Sequence, residues 1–132
     1  MYVGTQVAPR NVSDLEVWAQ LGVNNICADP FYEDENGKYI SINPHDWTVD
    51  ILEKHIELLS NHGLSLDMVQ IPLSSRPLEE SQSPNIMLGK SPERDKEIES
   101  IQNLISLCSK VGIPAVKYNM NIINELYNCY YF

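Results

Sequence analysis

No stretch of the 132-residue chain approaches the roughly 18 consecutive apolar residues that a membrane-spanning helix requires. Cations are scarce as well: 9 Lys and Arg stand against 18 Asp and Glu, a formal net charge of −9. Phosphate binding needs a basic face, so this balance argues against nucleic acid and against an anionic membrane as partners. The opening Met1-Tyr2-Val3-Gly4-Thr5-Gln6 has no basic segment followed by an apolar run, so no secretory signal is expected. Cysteine is sparse, and Cys27, Cys108 and Cys129 lie far apart without C-x-x-C spacing. They read as free thiols in a reducing cytoplasm, not as a disulfide frame or a zinc knuckle. H-E-x-x-H, G-x-S-x-G and Walker motifs are missing too. What remains, at 43% hydrophobic and 20% charged residues, is the composition of one ordinary globular unit.

A loose repeat organises that unit. Three amphipathic segments end at a glycine followed by an aliphatic residue: Leu21-Gly22-Val23, His62-Gly63-Leu64 and Val111-Gly112-Ile113. Glycine followed by an aliphatic residue suits the left-handed turn that closes a helix. A strand-like run follows each time, over Asn25–Ala28, Leu66–Ile71 and Pro114–Tyr118. Helices are expected near residues 12–22, 48–62 and 92–111. The first carries the capping-box pattern Ser13-Asp14-Leu15-Glu16 and the stripe Leu15, Trp18, Leu21. The second carries Val49, Leu52, Ile56 and Leu59. The third opens on Ser91-Pro92-Glu93, and its inner face reads Ile98, Ile101, Ile105, Cys108 and Val111. With Tyr2–Gln6 as a first strand the order is βαβαβαβ.

Alternating strands and helices predict a parallel sheet with right-handed crossovers. The first strand–helix junction, Gln6–Asn11, lacks a glycine-rich phosphate loop, which leaves a (β/α)8 TIM barrel ahead of a dinucleotide-binding sheet. Glycines 41 and 49 residues apart imply about three and a half units, whereas eight would need more than about 300 residues. The expectation is therefore the N-terminal half of a barrel over residues 1–118. Residues 119–132, with four asparagines, three tyrosines and one charge, show no fourth capped amphipathic helix and read as a truncated or frame-shifted tail.

A parallel barrel carries its site where strands run into helices. That picks out Gln6, Asp29, Gln70, Lys117 and Asn119, with the long loops Asp29–Asp46 and Pro72–Lys90. Alternation puts Ala115, Lys117 and Asn119 on one strand face and Val116 and Tyr118 on the other. Lys117 is suited to a carboxylate or phosphate, and Arg76 in the second long loop to bidentate carboxylate binding. His45 is the histidine nearest the expected mouth. His55 and His62, seven residues or about 10 Å apart on a helix, are too distant to share an ion. Asp34-Glu35-Asn36-Gly37 reads as the tip of a small hairpin.

One stretch resembles a known family. Ile71-Pro72, Ile86, Leu88-Gly89, Arg94-Asp95, Ile98, Ile101, Leu104, Gly112-Ile113 and Tyr118-Asn119-Met120 follow the pattern of the mannonate dehydratases, xylose-isomerase-like TIM barrels. The likeness spans about residues 63–120, and the strand–helix rhythm extends it toward the N-terminus. It departs at Val69-Gln70-Ile71, where the family carries a glutamate, and after Asn119, where the family continues through a proline. The family's metal ligands, a Cys, two His and an Asp on later strands, have no counterpart here.

The resemblance implies dehydration of D-mannonate to 2-keto-3-deoxygluconate with a divalent metal, typically manganese. In that reaction a proton is lost beside a carboxylate, and a cation stabilises the resulting dianion. On this view the chain supplies one wall of a sugar-acid site, without the metal ligands, and is inactive alone. The alternatives are a sugar-phosphate isomerase or epimerase on the same barrel, or a non-catalytic assembly module that forms homo-oligomers through an exposed sheet edge.

Overall fold

The computed structural model describes residues 3–73 and 80–119. Four strands form one parallel sheet: β1 (Gly4–Thr5), β2 (Asn25–Cys27), β5 (Ser65–Gln70) and β6 (Ala115–Lys117), in the spatial order β1-β2-β5-β6. Between β2 and β5 the chain makes an antiparallel hairpin, β3 (Phe31–Glu33) and β4 (Tyr39–Ser41), and then a 3-10 turn at Pro44–Asp46. The helices are α1 (Val12–Gln20), α2 (Val49–Asn61), a short α3 (Pro84–Leu88) and α4 (Glu93–Lys110). No helix among the described residues is long and apolar enough to cross a membrane.

The three expected helix–strand junctions share one geometry. Gly22, Gly63 and Gly112 have φ of 79°, 75° and 81°, a region open to glycine and strained for residues with a Cβ. In each, the glycine N–H donates to the carbonyl three residues before it, on Ala19, Ser60 and Ser109. The N–H of the following aliphatic residue reaches Trp18, Leu59 and Cys108, at 3.0 Å in all three. That is the Schellman pattern, in which orphan helix carbonyls are satisfied while one apolar side chain from each side of the turn packs together. Leu64 with Leu59, and Ile113 with Cys108, are core pairs.

The helix starts are less regular than the sequence suggests. Helix α1 is capped by Asn11, whose Oδ1 accepts from the Asp14 N–H at 3.2 Å, and Ser13 lies inside the helix. The Asp14 carboxylate accepts from the backbone N–H and guanidinium of Arg10, so the cap sits two residues upstream of the expected one and the reciprocal bond of a capping box is not made. Thr48 caps α2 through Oγ1. Ser91 provides no cap for α4; its hydroxyl donates to Asp95 at 2.7 Å.

The core lies between the sheet and α1, α2 and α4. Leu15, Ile26, Leu52, Leu59 and Val69 are fully enclosed there. An extra residue in β5 opposite Ile26–Cys27 breaks the period-two alternation. This bulge lets Leu66 and Val69, three apart, both enter the core, and it sends Gln70 to the other face. Two expected stripes need correction. Leu21, the C-cap just past α1, is exposed. On α4 the buried residues are Ile101, Leu104 and Cys108, while Ile98 and Ile105 face outward, because no element among the described residues lies beyond β6.

Candidate functional site

The C-terminal ends of the four parallel strands meet at a cavity of about 290 Å³. Gln6 follows β1, Cys27 ends β2 with Asp29 two residues on, Gln70 ends β5 and Lys117 ends β6; all five line it. The register Gln70↔Lys117 sets two of them side by side. Lys117 Nζ donates to Gln6 Oε1 at 2.6 Å. These residues belong to the two outer strands, separated by three strand gaps, or about 14 Å in a flat sheet. The pair is thus a bridge laid across the ends of β2 and β5. An ammonium retains two further donors when one is used, so the bridge still offers positive charge to a ligand.

Asp29 is the carboxylate of this cavity. Its Oδ1 accepts from the Gln70 N–H at 2.7 Å, a bond across 41 residues that fixes the carboxylate against the end of β5. Partial burial raises its pKa above the ordinary carboxylate value, opposed by the Gln70 N–H and by the Lys117 charge. Burial likewise raises the Cys27 thiol, with Lys117 acting in the opposite direction. Cys27 is therefore a thiol held in its neutral form, a poor nucleophile. The inner wall is apolar, with Ala28, Phe31 and Tyr39, and Phe31 stacks on Tyr39 with ring centroids 4.2 Å apart.

A second cavity of about 410 Å³ adjoins the first and shares Asp29, Ser41 and Gln70 with it. Asn43 and Gln82 complete its polar lining. The hairpin separates these cavities from a third, mainly apolar one beside α2. The hairpin tip is closed by Asp34, whose Oδ1 accepts from the N–H groups of Asn36 and Lys38.

Of the residues singled out in the sequence, Gln6, Asp29, Gln70 and Lys117 come together. Asn119 does not line either cavity; it is exposed and its backbone N–H donates to the Leu73 carbonyl at 2.7 Å. His45 sits on the 3-10 turn facing α4, in a separate cavity with Lys96, Glu99 and Lys110. Arg76 lies outside the described residues. His55, on α2, is 3% exposed beneath the hairpin. Its Nε2 lies 3.3 Å from the Ala28 carbonyl, its ring meets Phe31 edge-on at 4.8 Å, and Nδ1 has no partner. The Nε2–H tautomer is the one this geometry selects, since a carbonyl only accepts. Burial holds the imidazole neutral, with its pKa down at about 4.

Sequence reasoning passed over Ser41, Asn43 and Gln82, which carry no motif. The available signal was length: all three lie in the two long loops.

The donor set does not fit a divalent cation. Asp29 is one carboxylate, half committed to the Gln70 N–H, and the nearest charges to it are cationic. Among the described residues no three His, Cys, Asp or Glu cluster as a metal site.

No protein-family model matches the chain, and no curated protein matches it. Among solved structures the chain is similar to the crystal structure of mannonate dehydratase from Streptococcus suis serotype 2. The TM-score is 0.63 and the identity 20%, over 91% of this chain and 30% of the other. The likeness is one of fold: an α/β unit with a four-stranded parallel sheet, spanning less than a third of that enzyme's length.

Proposed function

We propose that this unit is the N-terminal half of a (β/α)8 barrel of the mannonate dehydratase kind and supplies the carboxylate-binding wall of a sugar-acid site. One observation carries the reading: Lys117, bridged to Gln6 across the strand ends, stands over a cavity that also holds Arg10, the amides of Gln6 and Gln70, the hydroxyls of Ser41 and Tyr39, and a single carboxylate, the anchored Asp29. A ligand carboxylate approaching Lys117 replaces the neutral Gln6 oxygen with a charged acceptor, a stronger hydrogen bond. The freed Gln6 amide and the Gln70 side chain then serve neighbouring hydroxyls. The solved structure named above and the residue pattern over positions 63–120 support the choice of D-mannonate as the acid.

In dehydration of such an acid the C2 proton leaves to a base and the C3 hydroxyl departs with a proton, giving an enol that becomes the 2-keto product and water. The charge that builds on the carboxylate during proton loss is where Lys117 acts, by placing a cation beside it. No step is assigned to a metal on this wall, because its donor set does not suit one. An open sheet leaves the lumen in contact with water, which weakens that electrostatic help, so the chain alone binds the acid without turning it over.

The edges of the sheet favour a second reading. Strands β1 and β6 each lack a partner on one side among the described residues, and large apolar side chains are exposed at Val17, Leu21, Ile98, Ile105 and Tyr118. Such edges pair with other chains, so an assembly module is the competing role. Amide-resolved NMR titration of the chain with D-mannonate, beside gel filtration, separates the two. Acid-dependent shifts at Gln6 and Lys117, lost in Lys117→Ala, are expected. Concentration-dependent assembly with no response to the acid would replace the first reading by the second.

A further inference from the structure

We propose that the second cavity, between β4, the 3-10 turn and the end of β5, is a polyol subsite that takes the hydroxylated tail of an extended ligand. The proposal rests on the sugar-acid reading and adds to it the ligand's direction and the residues that select its length. The two cavities differ in charge. The first is lined by Lys117 and Arg10, whereas the second, among the described residues, has no cation in its lining and presents Asp29, Ser41, Asn43, Gln70 and Gln82. An anionic group therefore belongs to the first. The second offers what neutral hydroxyls need, acceptors and donors in alternation.

The bonding around these residues leaves them free for that purpose. Asp29 Oδ1 is taken by the Gln70 N–H, while Oδ2 has no partner among the described residues and is not sealed from solvent. Asn43 Oδ1 is used in holding the His45 N–H at 3.0 Å, which turns its amide NH2 into the available end. Ser41 and Gln82 are exposed and make no side-chain hydrogen bond among the described residues. Because Asp29, Ser41 and Gln70 line both cavities, a linear molecule passes from one to the other without leaving the wall. Its carboxylate lies at Lys117 and its hydroxylated carbons run past Asp29 toward Asn43 and Gln82. A short hydroxy acid reaches only the first cavity.

The test uses the 132-residue chain and three probes followed by amide NMR shifts: D-mannonate, D-glycerate, and D-mannitol, which has the tail and no carboxylate. D-mannonate is expected to bind about tenfold more tightly than D-glycerate, a difference of about 1.4 kcal/mol. The amides of Ser41, Asn43 and Gln82 should shift with D-mannonate and D-mannitol and stay still with D-glycerate. Gln82→Ala, at an exposed position, should weaken D-mannonate toward the D-glycerate level, and Asn43→Asp, which keeps the oxygen that holds the His45 N–H and loses the amide donor, should do the same. Equal affinities for the two acids, with Asn43 and Gln82 unmoved, would overturn the subsite and leave the Lys117 reading standing. If neither acid shifts Lys117 and Gln6, the carboxylate reading fails. D-mannitol then decides the subsite alone, supporting it by shifts at Ser41, Asn43 and Gln82 and overturning it by their absence.

Discussion

The two ends of the parallel sheet are built from opposite materials. Where helices run into strands, three Schellman turns repeat almost atom for atom, each with a glycine near φ 80°; two draw an apolar pair into the core and the first packs Trp18 and Val23 against it. Where strands run into helices, the connections are long and mutually different, with a hairpin, a 3-10 turn and a short extra helix. Lys117 meets Gln6, and Asp29 the Gln70 N–H, at this second end, while Asn25, at the start of β2, bonds Asp67 away from it. The contrast teaches that stability and binding are divided along the strand axis. The tight end holds the helices to the sheet, and the open end, though its hairpin and turn give Tyr39 and Trp47 to the core, carries the exposed polar groups.

The largest effect expected from that division is at Leu59, fully buried beside the Gly63 turn. Leu59→Ala should lose about 2–5 kcal/mol in urea unfolding, from lost burial and the cavity left behind, and a cost near that size for Ser41→Ala would erase the distinction between the ends.

His55 sharpens the comparison with pH. Its folded pKa is lowered to about 4, while the unfolded imidazole titrates near 6.5. The unfolded chain therefore binds the proton first, and stability is full above about pH 6.5 and falls as pH drops toward 4. The loss approaches about 3 kcal/mol. In His55→Leu the slope of unfolding midpoint against pH should flatten across this window, whatever the variant's stability at pH 7. An unchanged slope would place the titrating group elsewhere.

Gly63→Ala comes next, at about 1–2 kcal/mol, the strain of a Cβ at φ 75°. Nothing lies within 4 Å of the added atom, so thermal unfolding of this variant reads backbone strain without a clash. The smallest stability change belongs to Lys117→Ala, within about 0.5 kcal/mol, since its bond to Gln6 is solvent-exposed. The same variant should abolish the D-mannonate response, and binding that survives it would move the carboxylate away from the bridge.

Much of the tight end was legible because its determinants are local. A glycine after an amphipathic segment and an aliphatic residue after the glycine fall within one turn of chain, and the helix stripes follow from a period of 3.6. The errors came where a local pattern had two solutions. Asn11 and Ser13 are both good caps, and Asn11 prevails because Asp14 reaches back to Arg10 from the helix that Asn11 starts. On α4 the apolar residues cover more than one face, and only the position of the sheet selects Ile101 and Leu104 over Ile98 and Ile105.

At the open end the sequence could place Gln6, Asp29, Gln70 and Lys117 at strand ends, since the alternation of elements alone puts them there. It could not say that Lys117 meets Gln6 across 111 residues, that a bulge in β5 orients Gln70, or that His55 is roofed by Phe31. Nor could it bring Ser41, Asn43 and Gln82 to one cavity with Asp29. Helix ends and the alternation of strands with helices are decided by interactions a few residues long, which any stretch of chain carries with it. Cavities and their charge are decided by which distant segments share a volume, and that is a property of the packed molecule.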